Sequence, residues 1–443
     1  MMPELKNLEH LPLPLNTCRP QWLANIQQRA KASFDRLGFP TKNMEEWKYT
    51  DFSSLSRRIF EWGAGPAATD LRDISFLEPF TLLDEHRLIL WNGGYSRVLS
   101  RVEGLPTSVR AGSLAQFMEK DPTLLEAHFT RYADSDRNAF CAMNTATFRD
   151  GAFVHIPPGV HLHRPIHILF ISSGLPEKTI LSLPRTLVVA EEGSEATIIE
   201  SHIGWGASGY LSNGVCEIVV GKNAQVEHVL IIKEHPTASH LGYVQVFQQR
   251  ESRFRSHSFS LDGALIRNDF SVGLGGENTE CTLNGLFTVA EGQHVDTHTF
   301  VNHKNRAGRS RQLFKGIVQG QATGVFNGAI VVAKEALQTD AEQSNQNLLL
   351  SEQANVFTKP QLEISANDVK CRHGSATGPL DESSLFYLRS RGLGEHQANH
   401  LLTCAFAEQT IEGIKSATLK SRVSELIAER VNKFWKGAAP WGV

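Results

Sequence analysis

The chain has little cysteine. Six occur in 443 residues, Cys18, Cys141, Cys216, Cys281, Cys371 and Cys404. They are scattered and none forms a C-x-x-C pair, which excludes a disulfide framework and a zinc-ribbon pattern. Reduced thiols in a reducing compartment are the simplest account. Long apolar runs are also missing. Nothing approaches the 18 or so residues that a membrane span needs, so no span is expected. The opening M-M-P-E-L-K-N-L-E-H lacks an apolar signal core, and a cytoplasmic location is the expectation. Nor does charge of one sign dominate. Lys plus Arg is 44 against 47 Asp plus Glu, a net charge of −3. A nucleic-acid or other polyanion partner would need a basic surface and is not expected. Enzyme signatures are absent too: no Walker A sequence, no G-x-S-x-G, no H-E-x-x-H and no dinucleotide fingerprint. Gly273-Leu274-Gly275-Gly276 precedes no helical pattern and reads as a turn. The chain is therefore read as a non-enzyme, and any ATP-driven process would need a partner to supply the nucleotide site.

What is present is a helix–β–helix order. Residues 1–84 read as an N-terminal helical domain, with Trp22, Leu23, Ile26 and Ala30 at helical spacing. Trp47 reads as a packing anchor, and 57–69 as a loop punctuated by Gly63, Gly65 and Pro66. Residues 85–374 are β-rich, with a helical insertion at about 114–132. Short turns recur before strands: Gly193-Ser-Glu-Ala196, Gly221-Lys-Asn-Ala224, Gly292-Gln-His-Val295, Gly320-Gln-Ala-Thr323 and Ser351-Glu-Gln-Ala354. Several successive starts are 28 to 31 residues apart. Units of that size cannot bury a core alone, so they must stack. A β-sandwich stays open, but the turn-to-turn period favours a parallel β-solenoid, with Gln343, Asn345 and Asn347 as candidates for amide ladders. Residues 375–443 read as a C-terminal helical domain, with helices at 382–391, 395–414 and 417–434. Asp381 is an N-cap candidate and Gly392 a stop.

The junction of the β region with the last helices carries the most chemistry. On a strand, Cys371 and His373 share a face, roughly 7 Å apart. A thiolate and an imidazole together suit zinc or iron. Lys370 and Arg372 face the other way, and a nearby cation favours thiolate. The plain alternative is a strand end with a buried thiol. His161, His163 and His167 would share a face on a continuous strand, but Pro165 interrupts it, so solvated or packed histidines are expected. His294, Asp296 and His298 also share parity and read as polar stacking. Cys404 is expected to be buried and inert on a helix, and Cys216 and Cys281 to be small core residues.

Asp368-Val369-Lys370-Cys371, His373-Gly374, Leu380-Asp381 and Leu385 through Gly392 (L-F-Y-L-R-S-R-G) together resemble the signature of the SufB/SufD family, scaffold proteins of the SUF iron–sulfur cluster assembly system. So do Gln338-Thr339-Asp340-Ala341, Asn347 through Ser351, Thr358-Lys359-Pro360, Leu362-Glu363-Ile364 and Trp47-Lys48-Tyr49-Thr50. The length, the W-K-Y-T region and the missing N-terminal C-x-x-C favour the SufD side of the family. The resemblance implies a right-handed parallel β-helix flanked by helical domains. It implies a heterodimer with a SufB-like paralogue through the terminal coils, with Cys371 and His373 at the interface. It implies docking of a SufC-like ABC-type ATPase on the C-terminal helices, for which Asp381, Glu382, Phe386, Tyr387, Arg389 and Arg391 form the candidate patch. No tightly bound cofactor is expected; transient iron or an iron–sulfur cluster at the interface is. Two other classes remain: a purely structural homodimeric scaffold, and a carbohydrate-active β-helix such as a polysaccharide lyase, which would need a carboxylate-lined cleft and usually a secretion signal.

Overall fold

The computed structural model describes residues 20–63, 65, 74–175, 178–206 and 208–435. Cys18 and part of the 57–69 loop fall outside them. The body is a parallel β-solenoid of about 7 turns. Each turn gives one strand to each of two sheets. One sheet runs in order through Tyr210–Val220, Ser239–Gln248, Leu265–Leu274, His294–His303, Thr323–Val332 and Asn355–Ile364. The other runs through Glu195–Trp205, Gln225–Lys233, Arg253–Asp262, Glu280–Val289, Arg309–Val318, Thr339–Leu349 and Val369–Gly378. Neighbouring rungs are parallel and in register: Glu195, Gln225, Arg253, Glu280 and Arg309 form one column, in steps of 30, 28, 27 and 29 residues. This repeat removes the β-sandwich alternative. Antiparallel pairing occurs only at the N-terminal end among the described strands, between His86–Trp91 and Gly94–Tyr95 and between Arg110–Ser113 and Ala152–Ile156.

Alternation explains the stack. One parity of each strand faces the lumen, where Ile198, Ile218, Val226, Val246, Phe287, Phe314 and Phe326 pack in a continuous core. Large side chains stand over glycine on the next rung: Gly285 pairs with Phe314 and Phe287 pairs with Gly316, and a Cβ at either glycine would collide with the facing ring. The anticipated amide ladder forms in part. Gln343 Nε2 reaches Gln312 Oε1 at 3.4 Å, whereas Asn345 and Asn347 bond mainly to each other, at 2.7 Å.

Helices cover both outer faces. Phe34, Trp47, Phe52 and Phe140 pack on Leu181, Leu211, Leu241 and Leu265. Trp47 is a buried anchor, with the Arg267 guanidinium 4.4 Å from its ring. The opposite face receives Val423, Leu426, Ile427 and Val431 of the helix Ala417–Phe434, against Val229, Ile231, Phe259 and Ile317. That helix begins at the Ser416 cap.

Several boundaries differ from the sequence reading. The insertion is two helices, Leu114–Lys120 and Pro122–His128, because Pro122 forces Asp121 out of helical geometry. A third, Ala139–Thr147, has no apolar stripe to read, since eight of its nine residues are buried. Phe60–Trp62 is a short strand paired with Thr179–Ser182, not loop. The helix from Glu395 ends at Glu408 rather than 414. The last strand continues to Gly378, past residue 374, where the sequence reading turns helical.

Candidate functional site at the last rung

Among the described strands, Val369–Gly378 pairs only with Thr339–Leu349 and closes the order of its sheet, as Asn355–Ile364 closes the other. A solenoid strand is normally buried by the rung above it. These two have none, so most of their residues are exposed or half-buried. Cys371 occupies the lumen-facing column above Cys281, Ser310 and Ala341 and is half-buried against the end of the core. His373 stands in register with Gln343 and is exposed. The register thus sets the thiol and the imidazole on the same parity at an open strand edge, which is a pairing surface for another chain.

The expected activation of the thiol by flanking cations is absent in the single subunit. Arg372 is drawn to Glu342 at 2.7 Å on the other face. Burial pushes the Cys371 thiol up; a backbone hydrogen bond at Ala341 opposes this and the charge of Asp340 adds to it. Neutral thiol is therefore the resting form.

The helix Glu382–Ser390 follows, and none of its residues is buried. Asp381 caps it, accepting from the Ser384 backbone N–H at 2.7 Å and from the Ser383 and Ser384 hydroxyls at 2.6 Å. Hydrogen bonds from those serines bring its carboxyl down to about 2. Glu382 lies exposed in the first turn. Phe386 and Tyr387 are 76% and 56% exposed, unusual for aromatics that no neighbour covers. Arg391 lies 5.3 Å from the Tyr387 ring and Arg389 is 3.9 Å from Glu395. The six residues of the candidate patch are thus contiguous on one exposed turn-and-helix.

The other candidates separate. His161 and His163 are exposed, while His167 is buried between Glu85 and Ser201, at 2.9 Å from each. Asp296 takes Arg267 at 2.6 Å and His298 at 2.9 Å, and His294 reaches Thr50 at 2.8 Å. These bonds fasten the N-terminal segment to the sheet. Cys404 is half-buried, and burial pushes its thiol up to about 11. Sequence reasoning missed two lumen clusters, Glu200 with Cys216 and His228, and His202 with Glu234 and His240. Each cluster joins two successive turns of the solenoid. Only the register unites them, and no linear spacing signals it.

With this geometry in view, the family models match closely. Residues 172–406 match the SUF system FeS cluster assembly SufBD core domain, and residues 15–168 match the SufBD protein N-terminal region. The chain belongs to the SufBD family. An iron–sulfur cluster assembly SufBD family protein of Synechocystis sp. is 34% identical, over 92% of this chain and 91% of its own. The iron–sulfur cluster assembly protein SufD of Escherichia coli is 32% identical over 93% of each. The SufD of Bacillus subtilis is 24% identical over 93% of this chain and 94% of its own. Membership ties this SufBD protein to the SUF system of iron–sulfur cluster assembly. No helix among the described residues is long and apolar enough to cross a membrane.

Proposed function

We propose that this chain is the SufD-type, non-catalytic subunit of a SUF assembly complex. Its open last rung pairs with a SufB-like paralogue, and its exposed helix at 382–390 receives an ABC-type ATPase. Iron or a nascent cluster passes transiently through the rung interface as cargo, handled by Cys371 and His373. The observation that carries this reading is the juxtaposition at one end of the stack. An unpaired strand edge bearing a thiol and an imidazole leads within a few residues into a helix with no buried residue.

Strand addition to the free edge would bury the lumen-facing side chains of Val369–Gly378, including both candidate ligands. The thiol, neutral in the lone subunit, needs a cation to become thiolate; an iron ion at the junction would supply that charge. The ATPase surface lies just beyond, so nucleotide-driven movement there would strain the same junction. The aromatic pair Phe386 and Tyr387 beside Arg389 and Arg391 has the composition of an interface centre.

Two measurements test it. His373→Ala should lower iron content and cluster delivery by the co-purified complex, with fold and complex formation intact. Unchanged iron and sulfide, measured anaerobically, would reject the role. Truncation after Pro379 should abolish co-purification of the ATPase subunit, and retained binding in a pull-down would move the docking surface elsewhere.

A further inference from the structure

We propose that Glu200, Cys216 and His228 form a second metal site, inside the solenoid, for a first-row divalent ion of the Zn2+ or Fe2+ type. The site is independent of the last rung. Glu200 comes from Glu195–Trp205, Cys216 from Tyr210–Val220 and His228 from Gln225–Lys233, all from lumen-facing positions. All three are buried, and their ligand atoms lie within 4.8 Å of one another. Donor atoms around a tetrahedral zinc stand about 3.4–3.8 Å apart. His228 Nε2 and Glu200 Oε2 are already 3.7 Å apart. Small side-chain rotations would bring the three donors to that spacing, with the fourth position left to a water or hydroxide.

The atoms that would bind face one another without a well-formed hydrogen bond. Glu200 Oε2 and His228 Nε2 are buried 3.7 Å apart, too far for one, a condition that costs free energy in an apolar interior. The surroundings are apolar: the rings of Phe254 and Phe270 lie 6.3 and 6.1 Å from that of His228.

The opposite atoms of the same side chains are held. His228 Nδ1 is 3.1 Å from Ser256 Oγ, and Glu200 Oε1 is 2.9 Å from His202 Nε2. This is the outer-shell arrangement of ligating imidazoles and carboxylates: one atom fixed by a neighbour, the other aimed at the ion. A dication enclosed between the Glu200 carboxylate and Cys216 would form the thiolate as the thiol proton leaves on binding. The set of one sulfur, one imidazole and one carboxylate suits Zn2+ and Fe2+ and is poor for Mg2+ or Ca2+.

The test uses the full chain, expressed in cobalt-supplemented minimal medium so that a buried site loads during folding, and purified anaerobically. Wild type should hold about one Co2+ per chain and show a thiolate-to-cobalt charge-transfer band. Cys216→Ser should lose the band, and His228→Ala should lower the metal content. Cys371→Ser should keep both, which separates this site from the last rung. X-ray absorption of zinc-loaded wild type, which needs no variant to fold, should show sulfur in the first shell. A folded wild type with no thiolate band, a first shell without sulfur, or identical spectra in wild type and Cys216→Ser would overturn the proposal.

Discussion

Replacing Glu217 by Ala should loosen the helical insertion from the solenoid while sparing the stack beyond it. Glu217 and Arg185 are completely buried and paired, and Arg185 also donates to Thr145 Oγ1 at 3.1 Å. The Glu217 carboxylate accepts further bonds from the backbone N–H groups of Thr130, Tyr132 and Ala133, at 3.0 to 3.1 Å. The Arg185 guanidinium lies 4.6 Å from the Phe129 ring. Removing one partner of such a pair leaves an uncompensated charge and costs about 3–5 kcal/mol. Glu217→Ala belongs at the upper end, because it also orphans three backbone donors. Arg185→Met belongs at the lower end, because the carboxylate keeps those donors. A chain of this size and layout need not unfold in one step, so the assay is local hydrogen exchange. At about 1.4 kcal/mol per tenfold change, exchange limited by opening of residues 129–147 should quicken by roughly three to four orders of magnitude in Glu217→Ala. The strands from Thr323 onward should be unchanged. A cost below about 1 kcal/mol, a cost larger in Arg185→Met, or acceleration spread evenly over the solenoid would refute the reasoning.

Gly285→Ala should destabilise the stack by about 1–3 kcal/mol through overpacking against Phe314. The check is its urea midpoint beside that of Gly378→Ala, where nothing lies within 4 Å of an added Cβ. His303 should make stability fall in acid. Burial brings its imidazole down to about 4 from an ordinary 6.5, so the unfolded chain takes up this proton first as pH drops between those values. The loss approaches about 3 kcal/mol near pH 4, and His303→Gln should flatten that part of the pH profile of the urea midpoint.

The solenoid is legible in the sequence because its signal is repetitive. Turns such as Gly292-Gln293-His294-Val295 recur at nearly constant spacing, and the strands between them alternate. The helix Ala417–Phe434 is legible for the same reason: its apolar stripe runs from Leu419 to Phe434 and a serine caps it. Signals fail where tertiary contact replaces periodicity. Ala139–Thr147 is buried on every side, and Phe60–Trp62 is a strand only because Thr179–Ser182 lies beside it. The Gly285–Phe314 and Phe287–Gly316 pairs need the register before either glycine has a reason. The Cys371–His373 pair lies two residues apart and can be read directly. Glu200, Cys216 and His228 lie on three strands and cannot.

The column that ends at Cys371 shows how the fold makes chemistry from position alone. Phe254, Cys281, Ser310, Ala341 and Cys371 occupy equivalent lumen-facing places on successive rungs. Cys281 is fully covered by the rung above it, and burial pushes its thiol far up, out of reach of any reagent. Cys371 has the same strand geometry with no rung above it, so its thiol is only half-buried. Adding one strand from a partner would complete the stack and move Cys371 toward the condition of Cys281, unless a cation is enclosed at the same time. Closure of this edge without a metal therefore favours an inert thiol, and closure around one favours a thiolate ligand. On the proposed function, whatever partner binding does to iron affinity at this rung, iron must do equally to partner affinity, as linkage requires.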